Sequence, residues 1–152
     1  MFATRSPAQT YARIGIETGV ASANPTQLTL MLYDGAICAV GKAQFALNNG
    51  DLHEKGRAIN HALTIIQDGL QSSLDLKVGG EFAKNLNDLY IYMCNRLIFA
   101  NFHNTTEPLA EVERLLSELR SAWAEIDKKP VGQQNAGNAP ASRNKILSLV
   151  NA

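Results

Sequence analysis

At 152 residues, with 45% hydrophobic and 18% charged residues, the chain has the make-up of one globular domain around one core. Fourteen basic residues balance fourteen acidic ones, which excludes the basic excess that phosphate neutralisation demands of a nucleic-acid binder. No window approaches the roughly 18 apolar residues of a membrane span, and the opening residues lack the apolar run of a secretion signal.

Residues 1–23 are rich in Ala, Thr, Ser and Gly, with scattered apolar residues Tyr11, Ile14, Ile16 and Val20, and read as a separate N-terminal segment. Asn24-Pro25 then marks a helix start, with a side-chain acceptor at the N-cap and a proline at the first helical position. This first helix is expected to reach Asn48, where Asn49-Gly50 provides a left-handed stop. Asp51, with Glu54 three residues on, opens a second helix that the pattern carries to about Leu74. A loop through Lys77-Val78-Gly79-Gly80 leads into a third helix from about Glu81 to His103. Thr105 or Thr106, followed by Glu107-Pro108, starts a fourth that runs to about Asp127. Short loops force successive helices to run antiparallel. The expected fold is therefore all-α, an up-down-up-down four-helix bundle over residues 24–127. Residues 128–152 follow it as a flexible Gly/Asn/Ala/Pro-rich linker and a short helix candidate, Ser142–Val150.

Angular positions at 100° per residue decide which faces must be covered. Leu109, Val112, Leu115, Leu116, Leu119, Trp123 and Ile126 share one side of the fourth helix, with charged and small polar residues opposite. The third helix carries two stripes. Phe82, Leu86, Leu89, Met93, Leu97 and Ala100 form the first. Ile91, Ile98 and Phe102, flanked by Cys94 and with Tyr92 and Phe99 on a shoulder, form the second. A bundle interior accepts one. In the second helix Leu52, Ile59, Leu63, Ile66, Leu70 and Leu74 form the core side, beside a strip of mostly small residues, Ala58, Ala62, Ile65 and Gly69. The first helix is also apolar around much of its girth, with Leu28, Leu32 and Ala39 on one side and Leu30 and Ile37 on another. The surplus apolar surface has three candidate covers: a partner polypeptide, the chain's own termini, or a second copy in a homodimer.

Catalytic and metal chemistry finds no constellation. His53 and His61 lie about 80° apart around the second helix, and no His-x-x-x-His, Glu-x-x-His or Cys-x-x-Cys is present. Gly79-Gly80 has no phosphate-loop context and reads as a helix–helix turn. Asp34 reads as a polar residue satisfying a neighbouring helix end, and Cys38 and Cys94 as two free, buried thiols. The expectation is a binding protein with no enzymatic activity, cofactor or metal.

Three blocks carry a family likeness. They are Asn24-Pro25 with Leu28 and Leu30-Met31-Leu32-Tyr33-Asp34-Gly35-Ala36; Gly79-Gly80-Glu81 with Ala83, Asn85-Leu86, Leu89-Tyr90, Tyr92-Met93, Leu97 and Ala100-Asn101; and Leu115-Leu116, Leu119-Arg120 and Ala122-Trp123. In order and spacing, over about residues 10–127, they resemble the bacterial flagellar export chaperone family FliS. The resemblance implies a cytoplasmic four-helix bundle that holds the disordered C-terminal segment of flagellin and prevents premature polymerisation. It also implies delivery of that cargo to the gate of the flagellar type III export apparatus. The candidate cargo surface is then Ala58, Ala62, Ile65 and Gly69 on the second helix, with Tyr90, Ile91, Cys94, Ile98 and Phe102 on the third. In this family the N-terminal segment can lie over part of the groove, which makes Tyr11, Ile14 and Ile16 candidates for a displaceable plug. The tail after Lys129 departs from the compact family pattern.

Overall fold

The computed structural model describes residues 24–128, all of whose regular elements are helical. Helix α1 spans Pro25–Asn48, and α2 spans Leu52–Thr64 and continues without a break as a π-helical segment, Ile65–Gln71. Helix α3 spans Gly80–His103 and α4 spans Glu107–Lys128.

The ends follow the local chemistry. Asn24 Oδ1 accepts from the Gln27 N–H at 2.8 Å while Gln27 Oε1 accepts from the Asn24 N–H at 3.1 Å, a reciprocal cap ahead of Pro25. Asp51 Oδ1 caps α2 through the Glu54 N–H at 3.1 Å. Gly80 opens α3 at φ +57, and a Cβ on Gly79 would collide with the Ala83 Cβ and stand 2.9 Å from the Asp75 carbonyl oxygen. Both glycines of that pair are therefore dictated by space and backbone conformation. Asn104 ends α3 in the left-handed region at φ 53. Lys55, only 5% exposed, reaches from α2 to that end and donates to the Asn101 carbonyl at 2.9 Å and to Asn104 Oδ1 at 2.6 Å. A lysine at a helix C-terminus meets the unsatisfied carbonyls and the negative end of the dipole.

Cross-links between helices fix the antiparallel order. Asp34 accepts from Arg120 Nε at 2.8 Å and from its Nη2 at 3.3 Å, tying the first half of α1 to the second half of α4. Arg96 of α3 donates to Glu107 and Glu111 of α4 at 2.8 and 2.7 Å. Lys55 ties the start of α2 to the end of α3. Helix α1 packs most extensively, against α2 and α4, through the small side chains Ala36, Ala39, Ala43 and Ala46. Helix α3 is held more sparsely, by α2 and α4.

The core contains Leu32, Tyr33, Val40, Ile59, Ile65, Ile66, Leu70, Leu86, Tyr90, Met93, Leu97, Leu109, Val112, Leu116 and Leu119 among others. A polar thread runs through it: the Tyr33 and Tyr90 hydroxyls stand 2.6 Å apart, and Trp123 Nε1 donates to the Tyr33 oxygen at 3.2 Å. Burial pushes the Tyr33 phenol up to about 12, against weaker lowering by its two hydrogen-bond partners. Burial raises Tyr90 in the same direction.

Several expectations are corrected. The second helix ends at Gln71 rather than near Leu74. Leu52, expected on its core side, sits in its first turn and is half exposed. Cys38 is exposed, because its position on α1 points away from Leu32, Ala36 and Ala39; Cys94 is buried and free as expected. Asp34 satisfies no helix end and instead holds Arg120. Residues 1–23, with the plug candidates Tyr11, Ile14 and Ile16, and the tail after Lys128 lie outside the described residues.

Candidate binding surface

The surface is the outer side of α3. Ile91, Ile98 and Phe102 recur at intervals of seven and four residues, which superimposes them on one side of a helix over about 16 Å. All three are open to solvent, Ile98 at 50% and Phe102 at 80% exposure, and Tyr92 and Phe99 beside them are comparably exposed. The first stripe of the same helix supplies Leu86, Met93, Leu97 and Ala100 to the core. Two apolar faces thus stand on one helix, one sealed and one bare. Surfaces of this kind mark interaction sites in soluble proteins.

The α4 side of the strip is an ordered polar rim. Tyr92 Oη donates to Glu111 Oε2 at 2.6 Å, and Arg96 bridges Glu111 and Glu107. The hydrogen bond from Tyr92, followed by that from Arg96, holds the Glu111 carboxyl below the usual range, while the same carboxylate raises Tyr92 and Arg96. Arg96 also lies 5.6 Å from the Phe99 ring centroid. Phe99 and Phe102 pack on His103 with ring centroids 4.2 and 4.9 Å away. The rim pins Tyr92, Phe99 and Phe102 without burying them, which lowers the ordering cost of covering the strip.

The other candidate residues fall elsewhere. Ala58, Ala62, Ile65 and Gly69 are buried between α2 and its neighbours rather than lining an open floor. The strip lies beside the Ile59, Ile66 and Leu70 stripe, and α2 with its π-helical continuation packs against both α1 and α3, which covers the two together. Tyr90 and Cys94 are also interior. Tyr90 sits about 40° from Leu86 and enters the core because Tyr33 satisfies its hydroxyl. Burial pushes the Cys94 thiol up to about 11 despite a hydrogen bond from Gln67, which leaves it unreactive. Of the nine candidate cargo residues, Ile91, Ile98 and Phe102 are therefore the ones on an open face, and Tyr92, Phe99 and Arg96 extend it.

Among the described residues no group of His, Cys, Asp and Glu side chains converges to hold a metal, and no helix is long and apolar enough to cross a membrane. The family described as "Flagellar protein FliS" matches residues 7–130. The chain belongs to the FliS family. It is 43% identical over 132 residues to the flagellar secretion chaperone FliS of Salmonella typhimurium strain LT2, covering 87% of this chain and 98% of that one. It is 41% identical over 123 residues to the flagellar secretion chaperone FliSB of Pseudomonas aeruginosa, covering 81% of this chain and 96% of that one. The Bacillus subtilis flagellar secretion chaperone FliS is 36% identical over 107 residues, covering 70% of this chain and 78% of that relative. All four described helices lie inside the FliS match, and the tail from residue 131 lies beyond it.

Proposed function

We propose that this chain is a cytoplasmic flagellar export chaperone whose cargo is the C-terminal segment of flagellin. It acts without catalysis. One observation carries the reading: in a chain of the FliS family, whose relatives are named flagellar secretion chaperones, α3 keeps an apolar strip that its own bundle leaves bare. A disordered segment that orders on binding can lay alternate apolar residues along such a strip and still leave, because part of the interaction free energy is spent on ordering it. Covering the strip masks the segment from other flagellin molecules, so polymerisation waits until the complex has delivered its cargo to the flagellar type III export gate.

Burying one large apolar side chain completely is worth about 1.5–3 kcal/mol. Ile91, Tyr92, Ile98, Phe99 and Phe102 are already partly covered, so together they offer roughly 5 kcal/mol before ordering costs. The strip therefore acts as an anchor within a longer contact. The N-terminal segment, through Tyr11, Ile14 and Ile16, competes for the same surface, so cargo binding includes the displacement of this plug.

Light scattering combined with a calorimetric titration tests the reading. A one-to-one complex of the full chain with a flagellin C-terminal peptide is the expected result. A stable homodimer that ignores the peptide would assign the strip to self-association and reject the chaperone role.

A further inference from the structure

We infer that a second apolar site, remote from the α3 strip, is occupied by the chain's own C-terminal segment, Ser142–Val150. The site is a cleft of about 570 Å³ between the second half of α1 and the start of α2. Cys38, Gly41, Phe45 and Ala46 supply its α1 wall, and Asp51 and Glu54 stand on its α2 side. Phe45 is 74% exposed, an aromatic ring that no described residue covers. Lys42 is the single cation of the lining, against two carboxylates.

The segment Ser142-Arg143-Asn144-Lys145-Ile146-Leu147-Ser148-Leu149-Val150 matches this lining in two respects. Its apolar residues recur at helical spacing, with Ile146, Leu149 and Val150 three and four residues apart. Its two charged residues, Arg143 and Lys145, are both basic and opposite in sign to Glu54, whose carboxylate also lies 3.6 Å from Arg57, and to Asp51, which caps α2.

Reach is the third argument. The Asp34–Arg120 pair fixes the antiparallel register of α1 and α4 and sets Lys128 level with the first turn of α1. The cleft, centred on Gly41–Phe45, lies about 16 residues further along α1, so roughly 25 Å away at 1.5 Å per residue. Residues 129–141 are rich in Gly, Asn and Ala, and a stretch of that length can reach up to roughly 40 Å. A tether of this length holds the segment near the cleft at an effective concentration on the order of 1 mM. An intrinsic affinity as weak as ~0.1 mM then suffices for about nine-tenths occupancy.

Cys38 reports on the cleft directly. Its thiol is exposed on the α1 wall, whereas Cys94 is buried and silent. The rate of iodoacetamide labelling of Cys38 is measured in the full chain and in the full-length variants Ile146→Asp and Leu149→Asp, whose substitutions lie outside the bundle. We expect labelling of the unaltered chain to be about tenfold slower than in either variant, and independent of protein concentration. Equal rates in all three chains overturn the inference. So does protection that deepens as protein concentration rises, since the occupant is then a second copy. The result does not depend on flagellin, so its failure would leave the chaperone reading standing.

Discussion

Ile98→Asp separates the binding role of the α3 strip from the folding role of the rest of that helix. Ile98 is 50% exposed and points away from the core. About half of its burial free energy is already realised in the fold, so losing it costs roughly 1 kcal/mol of stability, and the new carboxylate remains hydrated. Beneath a bound apolar segment the other half, about 1 kcal/mol, is lost as well. The carboxylate must also shed water without a partner, at a further cost of about 2 kcal/mol. The sum is close to 3 kcal/mol, a weakening of roughly a hundredfold in Kd. Leu86→Asp, at a fully buried position of the same helix, places the same charge in the core and is expected to abolish the folded state. Circular dichroism melts and calorimetric titration with a flagellin C-terminal peptide measure both quantities on the same preparations. An Ile98→Asp chain that melts near the parent temperature but binds within twofold of it would refute the assignment of the strip. An Ile98→Asp chain that does not fold would make the strip core.

Alkaline pH exposes the tyrosine thread. Because Tyr33 is raised from 10.0 to about 12 in the fold, the unfolded chain loses this proton first. Stability is then full below pH 10 and falls by up to ~1.4 kcal/mol per pH unit until about pH 12. Tyr90 shifts in the same direction and steepens the loss, and denaturant titrations of the Tyr33→Phe/Tyr90→Phe chain should show a flatter profile. A parent profile level from pH 9 to 12 would contradict the burial of the pair. Gly79→Ala forces the new methyl onto Ala83 and toward the Asp75 carbonyl, and a loss of roughly 1–3 kcal/mol in urea unfolding is expected. An unchanged midpoint would mean that the α2–α3 turn relaxes freely. Deleting residues 1–18 removes the proposed plug, so titration should give an unchanged or higher affinity for the flagellin peptide, whereas a tenfold loss would assign the segment to cargo holding.

The helices were legible because most boundaries, the end of α2 apart, are written in short-range chemistry: Asn24-Pro25, Asp51, Gly79-Gly80 and the stretch from Asn104 to Pro108 stop or start the backbone wherever the surroundings lie. The bare strip was legible for a related reason. Two stripes on one helix cannot both reach one interior, and Ile91, Ile98 and Phe102 are the set left outside. The small-residue strip of α2 was misread because periodicity states that a face is apolar and leaves open which neighbour covers it. Tyr90 shows a second limit. Its angular position belongs to the core stripe, but the hydroxyl that makes it look like a contact residue is satisfied by Tyr33, 57 positions away in sequence. The Lys55 bridge to the end of α3 was missed for the same reason, since nothing local to Lys55 announces Asn101 and Asn104 as its partners. Tyr92 and Arg96 join the surface through Glu107 and Glu111, a rim that forms only when α3 and α4 lie side by side.

The central claim is that a foreign polypeptide seats on the exposed side of α3, and isotope-labelled isoleucine methyl groups test it residue by residue. On titration of the full chain with a flagellin C-terminal peptide, the Ile91 and Ile98 methyl resonances should move together to saturation at one equivalent, while those of the buried Ile59 and Ile66 stay close to their starting positions. Saturable binding that leaves Ile91 and Ile98 unmoved would contradict the account.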